Sequence, residues 1–146
     1  MNLSQSYKSY SALILFLGSV LLLSCSRTKD KVVNRYYHQL TSKYNPLYNG
    51  QKAYKEAILS LKQEHTDSYD VLINVTPYGK SKEGTAAHAY LKKAIEKATK
   101  TIKEHSMMFR GVQKNPIVFD AYLLLGDAQA AMGLDISAQE SYAVVI

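Results

Sequence analysis

The chain of 146 residues holds a single thiol, Cys25. A cysteine acts through its thiolate, as a nucleophile toward carbon or sulfur or as a metal ligand. With no second cysteine, no disulfide framework is expected. The setting of Cys25 is specific: residues 12–23 form an apolar run behind it, and Ser26-Arg27-Thr28-Lys29-Asp30-Lys31 a polar run ahead of it. The other reactive side chains are scattered. His38, His65, His88 and His105 show no HExxH spacing, and no pair of carboxylates is spaced for acid–base work. His65 with Asp67 and Asp70 offers nitrogen and oxygen ligands for a metal, yet a turn rich in hydrogen-bonding side chains uses the same residue types. Gly79-Lys80-Ser81 lacks the upstream glycine of a phosphate-binding loop. No enzyme activity, metal or cofactor is therefore expected.

The run at residues 12–23 is too short to cross a ~30 Å hydrocarbon core. With Lys8 before it and the small Ser24 after it, it fits a secretory signal peptide over residues 1–24. Leu22-Leu23-Ser24-Cys25 resembles a bacterial lipobox, although Leu23 is bulkier than the usual residue at that position. That resemblance implies that the Cys25 thiol takes a diacylglyceryl group, that cleavage makes Cys25 the new N-terminus, and that its amine is acylated too. Two or three chains hold firmly where one holds marginally, at ~0.8 kcal/mol per buried CH₂. An ordinary secretory signal and an uncleaved N-terminal anchor are the other readings of the same run.

Lys8 is the only charged side chain in residues 1–24, so the remaining 122 residues carry +5 of the chain's +6. This length suits one domain with its own core. The mild positive charge favours an anionic lipid surface, and an exported chain is not expected to meet nucleic acid. Residues 25–31 read as a lipidated tether.

Beyond the tether the apolar spacing is helical, and the fold class expected is all-α. Val33, Tyr36, Tyr37, Leu40 and Tyr44 recur at three- and four-residue steps, the pattern of a helix that buries that stripe. Asn45-Pro46 is expected to end it and Asn49-Gly50 to turn the chain. A second helix over residues 51–64, with Ala53, Tyr54, Ala57, Ile58 and Leu61 inward, would complete a helical hairpin. Tyr69, Leu72, Ile73 and Val75 form a short helical turn or an extended piece. Gly84-Thr85 opens the longest helix, to about His105, burying Leu91, Ile95, Ala98 and Ile102. Its opposite face carries Lys92, Lys93, Lys97, Lys100 and Lys103, read as a solvated face with Glu96 placed to support Lys100 rather than as a polyanion site. Residues 106–114 read as a loop, and Asn115-Pro116 as a helix start.

From there the spacing narrows to a motif. Tyr122, Leu125, Gly126, Gly133, Ala138 and Tyr142 fall where a tetratricopeptide repeat (TPR) places its aromatic, Leu, Gly, turn Gly, Ala and second aromatic. Gly126 would let two helices approach, Gly133 would serve their turn, and Ala138 would leave room for the Tyr122 ring. Gln129 and Val145 depart from the pattern, and a generic helical hairpin accounts for the same residues less specifically. Helical hairpins leading into a TPR α-solenoid, truncated after its first repeat at 116–146, follow as the expected architecture, with 32–105 as an N-terminal helical region. One repeat cannot bury its own face, so the chain is expected to be the N-terminal fragment of a longer repeat protein.

Residues 35–50, Arg35-Tyr36-Tyr37-His38-Gln39-Leu40-Thr41-Ser42-Lys43-Tyr44-Asn45-Pro46-Leu47-Tyr48-Asn49-Gly50, resemble the segment after the lipid-modified cysteine in the TPR lipoproteins of gliding motility and type IX secretion in Bacteroidota, the SprE/PorW family. Ala94-Ile95-Glu96-Lys97-Ala98 and Glu104-His105-Ser106-Met107 are similar to that family in place and type. The resemblance implies an outer-membrane lipoprotein facing the periplasm that binds protein partners of a secretion or motility machinery, with no small-molecule substrate. A nutrient-binding outer-membrane lipoprotein of helical-repeat type, and the non-catalytic N-terminal part of a cell-wall enzyme, are the alternatives.

Tyrosine is the over-used residue, with 12 copies and no tryptophan. Tyr36, Tyr37, Tyr44, Tyr48 and Tyr54 cluster, and most are expected in the core with their hydroxyls reaching the surface. Tyr37 and Tyr48 are the candidates for partner contact, together with Gln129 in the repeat.

Overall fold

A computed structural model of the chain describes residues 30–66, 70 and 80–146. The sequence-based readings at Cys25, the signal segment and Leu72-Ile73-Val75 lie outside the described residues. The fold is mostly helical: α1 (Val32–Ser42), a π-helical turn (Lys43–Leu47), α2 (Tyr48–Glu64), α3 (Ala86–His105), a two-strand hairpin of β1 (Met108–Phe109) and β2 (Val112–Gln113), α4 (Ile117–Met132) and α5 (Asp135–Ala143).

Alanine builds the centre. Ala53 and Ala57 of α2, Leu91 and Ala94 of α3 and Ala128 of α4 form one buried cluster, and Leu47, Ala98, Ala121 and Leu124 form a second. The order of these residues fixes the directions: going up α2 from Leu47 to Ala57, the partners run down α3 from Ala98 to Leu91. Thus α3 is antiparallel to α2, α4 is antiparallel to α3, and α2 and α4 run parallel. Small side chains let the helix backbones come close, at the expense of apolar area per residue. Gly50 marks the tightest point. A Cβ there would lie 2.9 Å from Leu124 Cδ2 and 3.1 Å from Lys97 Cβ, so α2, α3 and α4 converge on a missing side chain.

The expected reversal at Asn45-Pro46 does not occur. Pro46 has no N–H for the Ser42 carbonyl and its ring crowds that turn, which ordinarily breaks or kinks a helix. Here the chain widens into one π-helical turn with Pro46 and Leu47 buried, and then resumes as α2. Asn49 Nδ2 donates to the Asn45 carbonyl at 2.8 Å, capping a group that the wide turn exposes. Asn49-Gly50 is therefore helix rather than turn. The helical hairpin is made by α2 with α3, and α1 is an extension that touches α3 and the start of α4.

The face of α1 is also inverted relative to expectation. Val33 and Tyr36 are about 70% exposed (71% and 69%), and Tyr37, Leu40 and Tyr44 are exposed too, whereas Asn34, His38 and Ser42 are buried. The residues that meet α1 explain why. They are the end of α3 and the residue before α4, and they offer polar groups: Asn115 Nδ2 donates to the His105 carbonyl at 3.0 Å and reaches Ser42 Oγ at 3.4 Å, and the His38 and His105 Nδ1 atoms lie 3.2 Å apart, one ring donating and the other accepting. Buried polar groups go where partners are, and apolar side chains across from them would leave those groups unsatisfied.

The helices α3 and α4 follow the sequence closely. Thr85 Oγ1 accepts from the His88 amide at 3.2 Å and caps α3. Leu91 and Ala98 are fully buried on α3, and Ile95 and Ile102 pack against the two clusters. Asn115 Oδ1 accepts from the Ile117 amide and caps α4 ahead of Pro116. Within residues 106–114 the structure adds the β1–β2 hairpin, whose turn uses Arg110 and Gly111 at φ of 50° and 77°. Two consecutive left-handed residues make the turn that suits a tight hairpin. Gln113 fixes it from inside: its Oε1 accepts from the amides of Met107 and Asn115, and its Nε2 donates to Ser106 Oγ.

Candidate interaction surface

Three of the motif residues of the last hairpin, Gly126, Gly133 and Tyr142, close it. Gly133 ends α4 in the left-handed conformation, φ 83°, and its amide and that of Leu134 bond back to the Ala130 and Gln129 carbonyls, so α5 folds straight back on α4. Gly126 faces the ring of Tyr142, and a Cβ on Gly126 would lie 2.5 Å from Tyr142 Cε1. The hairpin is thus closed by an aromatic ring seated in the gap left by a glycine. The Tyr142 hydroxyl donates to Asp127 Oδ1 at 2.7 Å. Burial first, and then that bond to a carboxylate, push the Tyr142 pKa well above its ordinary 10.0. Ala138 is buried on α5, Leu125 packs against the second cluster and Tyr122 is half-buried.

The connection into α3 is fastened to this hairpin. The Ser81 amide donates to the Ala131 carbonyl at 2.9 Å, Lys80 Nζ bonds Asp135, and a Cβ on Gly133 would touch Lys80 Cδ at 3.0 Å. No sequence pattern announced this strap, because it joins residues some fifty positions apart through one main-chain bond and one ion pair.

Two surfaces are available for contact. Between the parallel helices α2 and α4 runs an open cleft of about 350 Å³, lined by Gln51, Tyr54, Lys55, Asp120, Leu123 and Asp127. Tyr54 and Leu123 give it apolar surface, and Lys55, Asp120 and Asp127 bring charges of both signs. The second surface is the outward face of α1. Tyr37 and Tyr48 are exposed as expected, and Tyr36 and Tyr44 join them, so the tyrosine cluster lies mainly on the surface rather than in the core. Only Tyr54 packs against the buried clusters. Gln129 does not reach the α2–α4 cleft: its Oε1 accepts from Ser141 Oγ at 2.7 Å, which commits it to the α4–α5 contact.

The lysine face of α3 carries local pairs. Lys97 Nζ lies 3.0 Å from Glu96 Oε1, and Lys100 lies 3.9 Å from Glu104 in an i,i+4 pair. The Lys97 bond holds the Glu96 carboxyl below the usual carboxylate range. Lys100 also lowers Glu96 through its charge, as the four-residue spacing implied, alongside the direct pair with Lys97. Among the described residues no group of three His, Cys, Asp or Glu side chains could hold a metal, and no helix is long and apolar enough to cross a membrane. Asp67 of the proposed His65 turn lies outside the described residues.

No protein-family model matches the chain, and no curated protein matches it significantly in sequence. The structure itself places the chain among all-α folds, with each helix from α3 to α5 packing antiparallel on the one before it.

Proposed function

We propose that this chain is the membrane-proximal part of a lipid-anchored TPR scaffold, held at the outer membrane through acylated Cys25, facing the periplasm, and binding protein partners of a type IX secretion or gliding machinery. The observation that carries the reading is the α4–α5 hairpin. Its Gly126–Tyr142 contact and its Gly133 turn join residues at TPR spacing. The α2–α3 pair ahead of it supports a stacked arrangement, since α2 and α4 are parallel and adjacent as first helices of successive hairpins are. The groove of such a solenoid is lined by those first helices, and the α2–α4 cleft is its opening stretch.

A solenoid presents a rigid groove to an extended or helical segment of a partner. Leu123 and Tyr54 would supply apolar contact, and Lys55, Asp120 and Asp127 would set register by charge. The test is genetic and biochemical together. In the cell that makes the protein, deletion is expected to stop export of type IX cargo, wild type to restore it, and Leu123→Asp to fail to restore it while accumulating to the normal level. Unchanged cargo export after deletion sinks the reading.

A further inference from the structure

The exposed face of α1 is a lipid-contacting surface: we propose that it lies on the anionic headgroup layer of the membrane and holds the body of the protein against it. The proposal rests on the anchoring of Cys25 described under Proposed function. Three observations commit the face to lipid.

The first is chemical. Val33, Tyr36, Tyr37, Leu40 and Tyr44 form a continuous outward stripe, opposite the buried Asn34, His38 and Ser42. Aliphatic side chains mixed with phenols, whose bodies are apolar and whose tips are polar, suit the boundary between headgroups and acyl chains. Along this stripe runs an open groove of about 230 Å³ between Tyr36, Gln39, Leu40, Lys43, Tyr44 and Ile117.

The second is charge. From residue 31 to residue 52 the chain carries Lys31, Arg35, Lys43 and Lys52 and no acidic side chain. Arg35 is engaged by Asp30, just ahead of the stretch, while Lys43 sits 5.5 Å over the Tyr44 ring at the edge of the stripe. Beside Tyr37, Lys97 and Lys100 of α3 line a neighbouring cleft, but they are paired with Glu96 and Glu104, so the positive bias of the face comes from the α1 side. Basic residues within a Debye length of an anionic leaflet are attracted to it.

The third is reach. Seven residue steps separate Cys25 from Val32, and even fully extended they span roughly 25 Å, so an acylated Cys25 keeps α1 next to the bilayer. A short tether converts weak surface affinity into stable contact, because the second binding event is intramolecular.

Cys25 being the sole cysteine makes the test clean. The processed protein, purified from membranes, is reconstituted into vesicles of phosphatidylethanolamine and phosphatidylglycerol, with nitroxide labels introduced through Leu40→Cys or, on α5, Glu140→Cys. The expected result is a severalfold rise in the ratio of oxygen to water-soluble nickel-chelate accessibility at position 40 relative to position 140. Water-like accessibility at both positions overturns the inference. So does a label at position 40 that is shielded from both reagents, which means a protein cover, or one broadened by a second spin, which means a second copy of this chain. Wild-type protein reports on the anchoring separately: an acylated Cys25 takes no label, whereas labelling of wild type overturns the anchoring reading itself.

Discussion

The α4–α5 hairpin and the α1 extension bury opposite kinds of surface. In the hairpin, glycine and alanine draw helices together until an aromatic ring fills the gap, as Tyr142 does over Gly126. In α1, Asn34, His38 and Ser42 turn inward, with Ser42 meeting Asn115 and His38 meeting His105, while tyrosines and aliphatics stay outside. The contrast shows that the inward face of a helix is chosen by what lies across from it. An apolar stripe facing the open ends of α3 and α4 has nothing apolar to meet, whereas a polar stripe there completes hydrogen bonds.

The largest expected effect breaks the hairpin side. Gly126→Val places atoms inside the Tyr142 ring and is expected to cost about 3 kcal/mol, read as a lower midpoint in urea unfolding. Adding Tyr142→Ala to it should recover part of that loss, which a double-mutant cycle measures; full additivity would show that the two side chains do not meet. On the other side, Asn115→Ala removes the cap of α4 and leaves the part-buried His105 carbonyl without that donor. A loss of about 2 kcal/mol is expected in the same assay, with the α1 amides exchanging faster.

Smaller effects sharpen the comparison. Tyr36→Ser and Leu40→Ser should each change stability in solution by under about 0.5 kcal/mol, since both side chains are exposed; a loss of 2 kcal/mol would mean that the stripe is packed after all. The smallest effect is confined to high pH. Tyr142 has a pKa raised by folding, so its neutral form contributes stability that is complete below its ordinary 10.0 and is lost as pH climbs toward the raised value. Tyr142→Phe should flatten the alkaline limb of the stability profile above pH 10.0 and leave the neutral region with a nearly constant offset.

Much of the fold from α3 onward was legible in the sequence because each signal there is local. Thr85 caps, Leu91 and Ala98 repeat on one face, Asn115-Pro116 opens a helix and Gly133 closes one. The region around Pro46 was not, because the deciding signal was a spacing of four. Asn34, His38, Ser42, Pro46 and Gly50 are all buried, one every four residues. In an ideal α-helix each four-residue step turns about 400°, so such a stripe drifts by roughly 40° per step and would leave the protein within a few turns. The π-helical turn at Lys43–Leu47 takes up that drift and keeps the stripe inward. Proline and the Asn-Gly pair punctuate most chains, and here the inward stripe overrode them. The tyrosines followed the same logic: without the buried stripe, their own three-and-four spacing reads as a core.

The strap between Lys80-Ser81 and the α4–α5 turn has a kinetic consequence. Its main-chain bond joins residues fifty apart, from the segment before α3 to the last turn of α4, so it needs α4 already laid on α3. Contacts of such separation carry a loop-closure cost that is met late in folding. The Ser81 amide therefore records completion of assembly. In pulsed hydrogen exchange during refolding, its protection should appear after that of the mid-helix amides of α3, and in the native state it should exchange only through openings that release the whole α4–α5 hairpin.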